Sequence, residues 1–113
     1  MMLEWNDYRK ELLTTLNDME KISPATVRGY REVSDASTHS GRLDAKTREL
    51  IALAVSVTRQ CDRCITVHTD AAMRHGASQE EIMEALGVAI AVNAGATLAY
   101  STRVMDACGA KTA

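Results

Sequence analysis

Two cysteines and a histidine stand close together in the segment Cys61-Asp-Arg-Cys64-Ile-Thr-Val-His68. If this segment is helical, the three side chains fall within an arc of about 60° on one face, because each residue turns the helix by about 100°. The two thiols could close into a disulfide, and the imidazole lies one turn beyond the second sulfur. This spacing suggests redox chemistry.

The same residues leave two other interpretations open. Zinc takes four ligands, and Cys61, Cys64 and His68 supply three, so that the fourth would be Glu49 or Cys108. Structural zinc usually has a second ligand pair elsewhere in the chain, and this sequence contains none. The cysteines could also be two buried thiols without chemistry, because free cysteine is among the most buried residue types. Covalent haem attachment is excluded, because histidine does not directly follow the second cysteine. We predict no metal at this site.

The length, charge and cysteine content narrow the class of protein. A chain of 113 residues corresponds to one domain, residues 1–113. A net charge of −2 gives no electrostatic indication of nucleic-acid binding. No apolar run approaches the roughly 20 residues of a membrane span, and the N-terminus lacks the apolar core of a signal peptide. Three cysteines without an export signal indicate a reducing compartment. We therefore expect a cytoplasmic protein with no nucleic-acid or membrane partner.

The apolar periodicity predicts an all-α chain. Apolar residues recur at helical spacing, and no segment shows the alternation that is typical of strands. The predicted helices span residues 3–22, 24–40, 45–59, 62–75 and 79–108, and a bend could fall at residues 93–95. Residues typical of helix ends separate these segments: Ser23 before Pro24, Asp44, Gly76, and the capping box of Ser78 and Glu81.

Two of these segments are unusually apolar. The helix at 45–59 is apolar nearly all round, so we expect it to be central and buried. The segment 85–96 has one face of small residues and another of aliphatic residues, which is more apolar surface than one small domain can cover. We expect part of it to lie at a subunit interface of a homo-oligomer, although the core of a monomer could also use such a helix.

Four further residues carry groups that could do chemistry. His39 lies in a polar stretch, which predicts a solvated side chain, and His75 stands at a helix end beside Gly76, which favours a structural role. Cys108 lies alone near a helix end that we expect to fray, and we assign it no role. Glu49 would ordinarily be solvated or stabilised by the helix dipole, and only a link to the cysteine motif gives it a function.

The position of Glu49 provides that link, because the spacing resembles a family signature. Eleven residues separate Glu49 from Cys61, and the pattern Cys61-x-x-Cys64-x-x-x-His68 follows. This pattern is similar to that of the alkylhydroperoxidase D-like proteins, within the carboxymuconolactone decarboxylase superfamily. The similar text comprises residues 48–56, 68–77 and 80–85, within a region of roughly 43–107.

The resemblance implies a compact bundle of about five to six helices that forms a homo-oligomer, with a hexamer expected and a trimer as the alternative. It also implies a peroxidase that reduces hydroperoxides without a metal or a tightly bound cofactor. By position, Cys64 attacks the peroxide, Cys61 forms the disulfide with it, and Glu49 and His68 relay protons. An external dithiol, lipoamide-like or thioredoxin-like, would then reduce the disulfide.

Two departures from the family pattern bear on this expectation. Arg63 stands where the founding enzymes have a second histidine between the cysteines, so the proton relay could differ. Those enzymes also contain two related helical halves, whereas this chain resembles the single-unit members. The decarboxylase branch typically lacks the cysteine pair. Three alternatives to the peroxidase remain: a decarboxylase-like enzyme, a non-enzymatic redox-responsive module of the same fold, and a metal-binding module of the same fold.

The choice of attacking thiol rests on opposed arguments. The helix dipole favours Cys61, because a thiolate at a helix N-terminus is stabilised. The i,i+4 spacing favours Cys64, because His68 would lie directly over it. The family pattern also assigns the attack to Cys64, and Arg63 would help to lower a thiol pKa. We therefore expect Cys64 to be the nucleophile.

Overall fold

In a computed structural model that describes residues 1–112, the chain forms five α-helices and contains no strand within those residues. The helices are α1 (Trp5–Ile22), α2 (Pro24–Ser40), α3 (Ala45–Thr58), α4 (Asp62–Arg74) and α5 (Gln79–Thr112). The predicted all-α class and the predicted number of helices are therefore confirmed. Four of the helices lie within two residues of the predicted bounds, and α5 is longer than predicted.

Side-chain and glycine caps define the helix ends around the cysteine motif. Asp44 Oδ1 accepts a hydrogen bond from the Thr47 backbone N–H at 2.8 Å, which satisfies a free donor in the first turn of α3. Gly76 ends α4 in the left-handed region, with φ of 88°, where a side chain would be strained. Ser78 and Glu81 each accept the backbone N–H of the other at 3.0 Å. These three of the four predicted helix-end signals are confirmed.

The start of α2 differs in one detail from the prediction. Ser23 precedes Pro24 as expected, but its hydroxyl forms a 2.7 Å hydrogen bond with the Thr26 hydroxyl and caps no backbone N–H. Pro24 has no N–H of its own, so the first turn of α2 contains one fewer donor that needs a partner.

α5 is one uninterrupted helix of 34 residues. The Asn93 side-chain amide donates to the Ala89 carbonyl and to the Thr58 hydroxyl of α3, both at 2.8 Å, so this residue joins two helices and does not interrupt one. The helix continues to Thr112, and the expected end near Cys108 is wrong. Gly109, which follows Cys108, continues the helix and does not cap it.

The core lies where α3, α4 and the start of α5 meet. Leu53, Ala72 and Ala77 are buried together, and Leu50 and Ile82 are partly buried against them. α3 contacts both α4 and α5, whereas α1 contacts α2 and α4. Ala72 of α4 is fully buried here, and its small side chain lets the α3 and α4 backbones approach closely. The two helices that carry the predicted site residues are thus held side by side.

A large apolar surface remains exposed on the isolated chain. Ile51 and Val55 of α3 are 50% and 55% exposed, so the prediction that this helix is buried all round is wrong for a single chain. The reason is that α4 and α5 cover only part of its circumference. The radius of gyration is 18.7 Å, against about 13 Å for a compact domain of this size. The large exposed residues of α5 are Met83, Val88, Ile90, Val92, Leu98, Tyr100, Val104 and Met105.

α5 is also long and apolar enough, by length and composition alone, to cross a membrane. Its most apolar 18-residue window has a mean hydropathy of 1.6, and only 6% of that window is buried in the chain. The expectation that no apolar run approaches this length is therefore wrong, because alanine, valine, leucine and isoleucine follow one another here without charged residues. A single helix of this kind is weak support for a membrane span, since interface and core helices share its composition.

Candidate active site

Cys61 lies in the tight connection between α3 and α4, where it caps α4. Its backbone N–H donates to the Ser56 carbonyl at 3.2 Å, and its sulfur accepts the Cys64 backbone N–H at 3.3 Å. The preceding residue, Gln60, adopts a φ of 52°, a left-handed conformation that side chains other than glycine rarely adopt. This strained turn brings the first sulfur to the positive end of the α4 dipole.

The two thiols of the motif form one coupled pair. Both cysteines are free and half-buried. The thiol of Cys64 hydrogen-bonds the Cys61 sulfur and lowers the pKa of Cys61, and the Cys64 backbone N–H lowers it further. Burial raises the pKa of Cys64, and its hydrogen bond to Cys61 raises it again. The first thiolate of the pair therefore forms on Cys61, as the helix-dipole argument alone predicts.

Glu49 and His68 form the second half of the site. Glu49 Oε2 of α3 lies 2.7 Å from His68 Nδ1 of α4, and the side chains are only 23% and 26% exposed. When Nδ1 carries the ring proton, this N–H donates a hydrogen bond to the Glu49 carboxylate. The other ring nitrogen is then available for proton exchange. The structure thus joins two residues that are nineteen positions apart in the chain.

The structure places His68 with Glu49 and not with a sulfur. Within residues 1–112, no hydrogen bond joins His68 to Cys61 or Cys64. His68 and Cys64 therefore share a face of α4, as their i,i+4 spacing predicts, but no hydrogen bond joins them. The polar contact made by the Cys64 sulfur to a charged group comes from Arg63, whose Nη1 lies 4.0 Å away.

Tyr30 is a residue near the site that the sequence did not indicate. The Arg63 guanidinium carbon lies 5.3 Å from the centre of the Tyr30 ring, which is contributed by α2. The family-like text begins near residue 43, so it gave no reason to consider α2. The only available signal was that aromatic residues make up just 4% of the sequence.

Among residues 1–112, the side chains of the other candidate residues form no hydrogen bond with the thiol pair or with the Glu49–His68 pair. His39 is exposed in the last turn of α2, and His75 follows α4, where its backbone N–H donates to the Ala71 carbonyl. Cys108 is exposed within α5. Over residues 1–112, no three His, Cys, Asp or Glu side chains are grouped so that they could hold a metal ion. Zinc bound by Cys61, Cys64 and His68 would thus require these side chains to rearrange.

Comparison with known proteins relates most of the chain to one family. A model of the carboxymuconolactone decarboxylase family matches residues 24–107. An uncharacterized protein of Haemophilus influenzae is 39% identical over 107 residues, which cover 95% of each chain. The crystal structure of an apo carboxymuconolactone decarboxylase family protein from Legionella pneumophila is 34% identical, covers 88% of each chain and superposes with a TM-score of 0.75.

A second solved structure is similar over a shorter part of the chain. This protein from Methanobacterium thermoautotrophicum is 26% identical and superposes with a TM-score of 0.70. The match covers 76% of the present chain and 97% of the other. Both solved structures thus share the helical architecture of this chain.

Proposed function

The chain belongs to the carboxymuconolactone decarboxylase family, and we propose that it acts there as a thiol-dependent peroxidase that reduces alkyl hydroperoxides. The observation that carries the proposal is the coupled thiol pair, in which the Cys61 sulfur accepts the Cys64 backbone N–H at 3.3 Å. A helix N-terminus beside two accessible thiols favours thiolate chemistry. The Glu49–His68 pair, in which His68 lies one helical turn beyond Cys64, supplies a group that can exchange protons.

The proposed cycle begins with attack by the Cys64 sulfur on the peroxide. The sulfur bonds to one oxygen, the O–O bond breaks, and the remaining oxygen leaves as an alkoxide that takes up a proton to become the alcohol. The resulting sulfenic acid on Cys64 is attacked by the Cys61 sulfur, which releases water and leaves a disulfide. An external dithiol, lipoamide-like or thioredoxin-like, returns two electrons and two protons. No tightly bound cofactor takes part.

The pKa order within the pair favours Cys61, and not Cys64, as the first thiolate. The more basic Cys64 thiolate is the stronger nucleophile, but nucleophilicity rises less steeply with basicity than the thiolate fraction falls. The assignment of the attack to Cys64 therefore rests on the family pattern, and in this cycle the Cys61 thiolate takes up the Cys64 proton through the hydrogen bond that the two sulfurs share. After the attack, the Cys64 backbone N–H still stabilises a thiolate on Cys61. Cys61 is thereby suited to the resolving step.

Glu49 and His68 supply the protons that the cycle moves. The carboxylate fixes the imidazole through Nδ1 at 2.7 Å. Once the other ring nitrogen has taken up a proton, it can protonate the leaving alkoxide, and the partial exposure of the two side chains lets the pair recover that proton from water. In this role Glu49 acts through His68, and His68 exchanges the proton with the reacting atoms.

A steady-state assay tests this proposal directly. The protein is given hydrogen peroxide or alkyl hydroperoxides, with dihydrolipoamide or a thioredoxin as the reductant, and peroxide loss is followed. Cys64→Ser should abolish turnover, whereas Cys108→Ser should leave it unchanged. Closure of the disulfide without turnover would instead favour a redox-responsive module. Stoichiometric zinc in the purified protein would favour the metal-binding alternative.

The proposal includes a cytoplasmic homo-oligomer, with a hexamer expected and a trimer as the alternative. The exposed apolar residues of α3 and α5 support self-association, because monomeric proteins rarely leave a continuous apolar surface of this extent in water. The groove between these helices is lined by Ile51, Val55, Val88 and Val92, and it has an accessible volume of about 320 Å³. A second copy of the chain is the occupant that this composition fits.

A further inference from the structure

Three side chains from two helices form a row that ends at the Cys64 sulfur. The Tyr30 ring of α2 lies under the Arg63 guanidinium, at 5.3 Å from ring centre to Cζ. The Nη1 of the same guanidinium lies 4.0 Å from Cys64 Sγ. Arg63 is adjacent to Cys64 in sequence, but an arginine side chain is long and flexible, so adjacency alone does not direct its charge to the sulfur.

Tyr30 itself is held in place by the α1–α2 hairpin. Arg31, its neighbour on α2, forms a 2.8 Å ion pair with Glu20 of α1. α1 is in turn fixed to α4, because Arg9 pairs with Asp70 at 2.9 Å. The hairpin that bears Tyr30 is therefore anchored to α4, the helix that carries Cys64 and that Cys61 caps.

We propose that Tyr30 is a positioning residue of the thiol site, whose ring holds the Arg63 guanidinium beside the Cys64 sulfur. The guanidinium then pairs with negative charge that forms on this sulfur. The role in catalysis rests on the proposed function, whereas the effect on thiol reactivity does not. Removing the ring would let Arg63 extend into water, and the charge would spend less time near the thiolate.

The charged surroundings of Cys64 make this contribution important. Burial raises the pKa of Cys64, as does its hydrogen bond to Cys61, and the nearby Arg63 charge opposes the rise. The remaining groups that bear on the site are Asp62 in the same helical turn, Tyr30 from α2, and the Glu49–His68 pair. Since that pair is satisfied internally at 2.7 Å, Arg63 is the cation in contact with the sulfur.

The test measures Cys64 reactivity in a variant that contains no other thiol, Cys61→Ser with Cys108→Ser. The rate of alkylation by iodoacetamide is recorded from pH 6 to pH 10, before and after Tyr30→Ala. We expect alkylation at pH 7 to slow by about 2–5-fold, as the loss of a cation–π contact would produce. The pH profile should move to higher pH. Tyr30→Phe, which keeps the ring face, should restore the original profile.

A double-mutant cycle separates this role from a structural one. In an Arg63→Gln background, Tyr30→Ala should have no further effect, because there is no longer a charge to position. An equal loss in that background would overturn the proposal, as would an unchanged rate in Tyr30→Ala or a slow rate in Tyr30→Phe. Tyr30 is 51% exposed, so the variants should fold. If Tyr30→Ala does not, Tyr30→Leu fills the space without a ring and is subject to the same expectations.

This measurement is independent of peroxide turnover. A shifted alkylation profile in a protein without peroxidase activity would support the positioning role and refute only the proposed function. An unshifted profile in an active peroxidase would do the reverse.

Discussion

Replacing Glu49 by glutamine should leave the fold intact and impair peroxide turnover. The Glu49 carboxylate lies 2.7 Å from His68 Nδ1. A glutamine carbonyl oxygen can still accept a hydrogen bond from Nδ1–H at this position, so the imidazole should keep its orientation. What is lost is the negative charge that lets the pair take up and pass on a proton. The variant therefore tests proton transfer more than geometry.

The expected loss is about 100-fold in kcat/KM, which is the low end for an acid–base group and corresponds to about 2.7 kcal/mol in barrier height. Stability should change by less than about 1 kcal/mol, because partly exposed ion pairs contribute little. The change in Tm should thus be a few degrees, within the about 4–8 °C that 1 kcal/mol produces in a domain of this size.

The assay compares steady-state peroxide reduction in the wild type, Glu49→Gln and Glu84→Gln. Glu84 is an exposed residue of α5 with no ion pair among the described residues 1–112, so its substitution makes the same chemical change away from the site. Glu84→Gln should retain wild-type activity. Wild-type activity in Glu49→Gln, at unchanged Tm, would refute the proton-relay role and return Glu49 to a structural one.

Three further outcomes follow from the site and the surface. Mild peroxide should link Cys61 to Cys64 and leave Cys108 free; mass spectrometry of alkylated peptides would contradict this by finding a dominant Cys108 link. Because the pKa of Cys61 is lowered and that of Cys64 is raised, Cys61 should be alkylated first as the pH rises. Cys64→Ala should move the pH dependence of Cys61 alkylation to higher pH, because the hydrogen bond that lowers the Cys61 pKa is lost. Equal labelling of both thiols at pH 7 would contradict this. Ala91→Trp should dissociate the oligomer or block folding, since close helix contacts tolerate added volume poorly. Light scattering of the wild type checks the premise, because a species of ~12 kDa, the mass of one chain, would show that no such contact exists.

Local signals in the sequence predicted most of the fold. Asp44, Gly76 and the Ser78–Glu81 capping box act through residues at most three positions away, so their effect can be read without knowing the tertiary structure. The end of α5 could not be placed in this way, because Gly109, which follows Cys108, continues the helix and does not cap it. The exposure of Ile51 and Val55 was also missed, since an apolar pattern indicates a need for burial but not the partner that provides it.

The contacts of the site also divide into local ones, which the sequence predicted, and tertiary ones, which it did not. The pairing of Cys61 with Cys64 is local to one helical turn and was visible from their spacing. The bond between Glu49 and His68 depends on how α3 packs against α4, and only the family-like spacing suggested it. Tyr30 approaches Arg63 through the α1–α2 hairpin, a tertiary contact that no spacing rule encodes. The order of thiol pKa values likewise depended on burial of the Cys64 sulfur, which the sequence does not state.

A single-turnover reaction tests the central claim most directly. Fully reduced protein is mixed with excess alkyl hydroperoxide in the absence of any dithiol, and alcohol formation and free thiols are counted together. The proposed cycle predicts one alcohol formed and two thiols lost per chain, with Cys61 and Cys64 joined, and renewed turnover when dihydrolipoamide or a thioredoxin is added. Peroxide that remains unconsumed, or thiol loss that does not involve this pair, would contradict the assignment of peroxidase chemistry to the Cys61–Cys64 site.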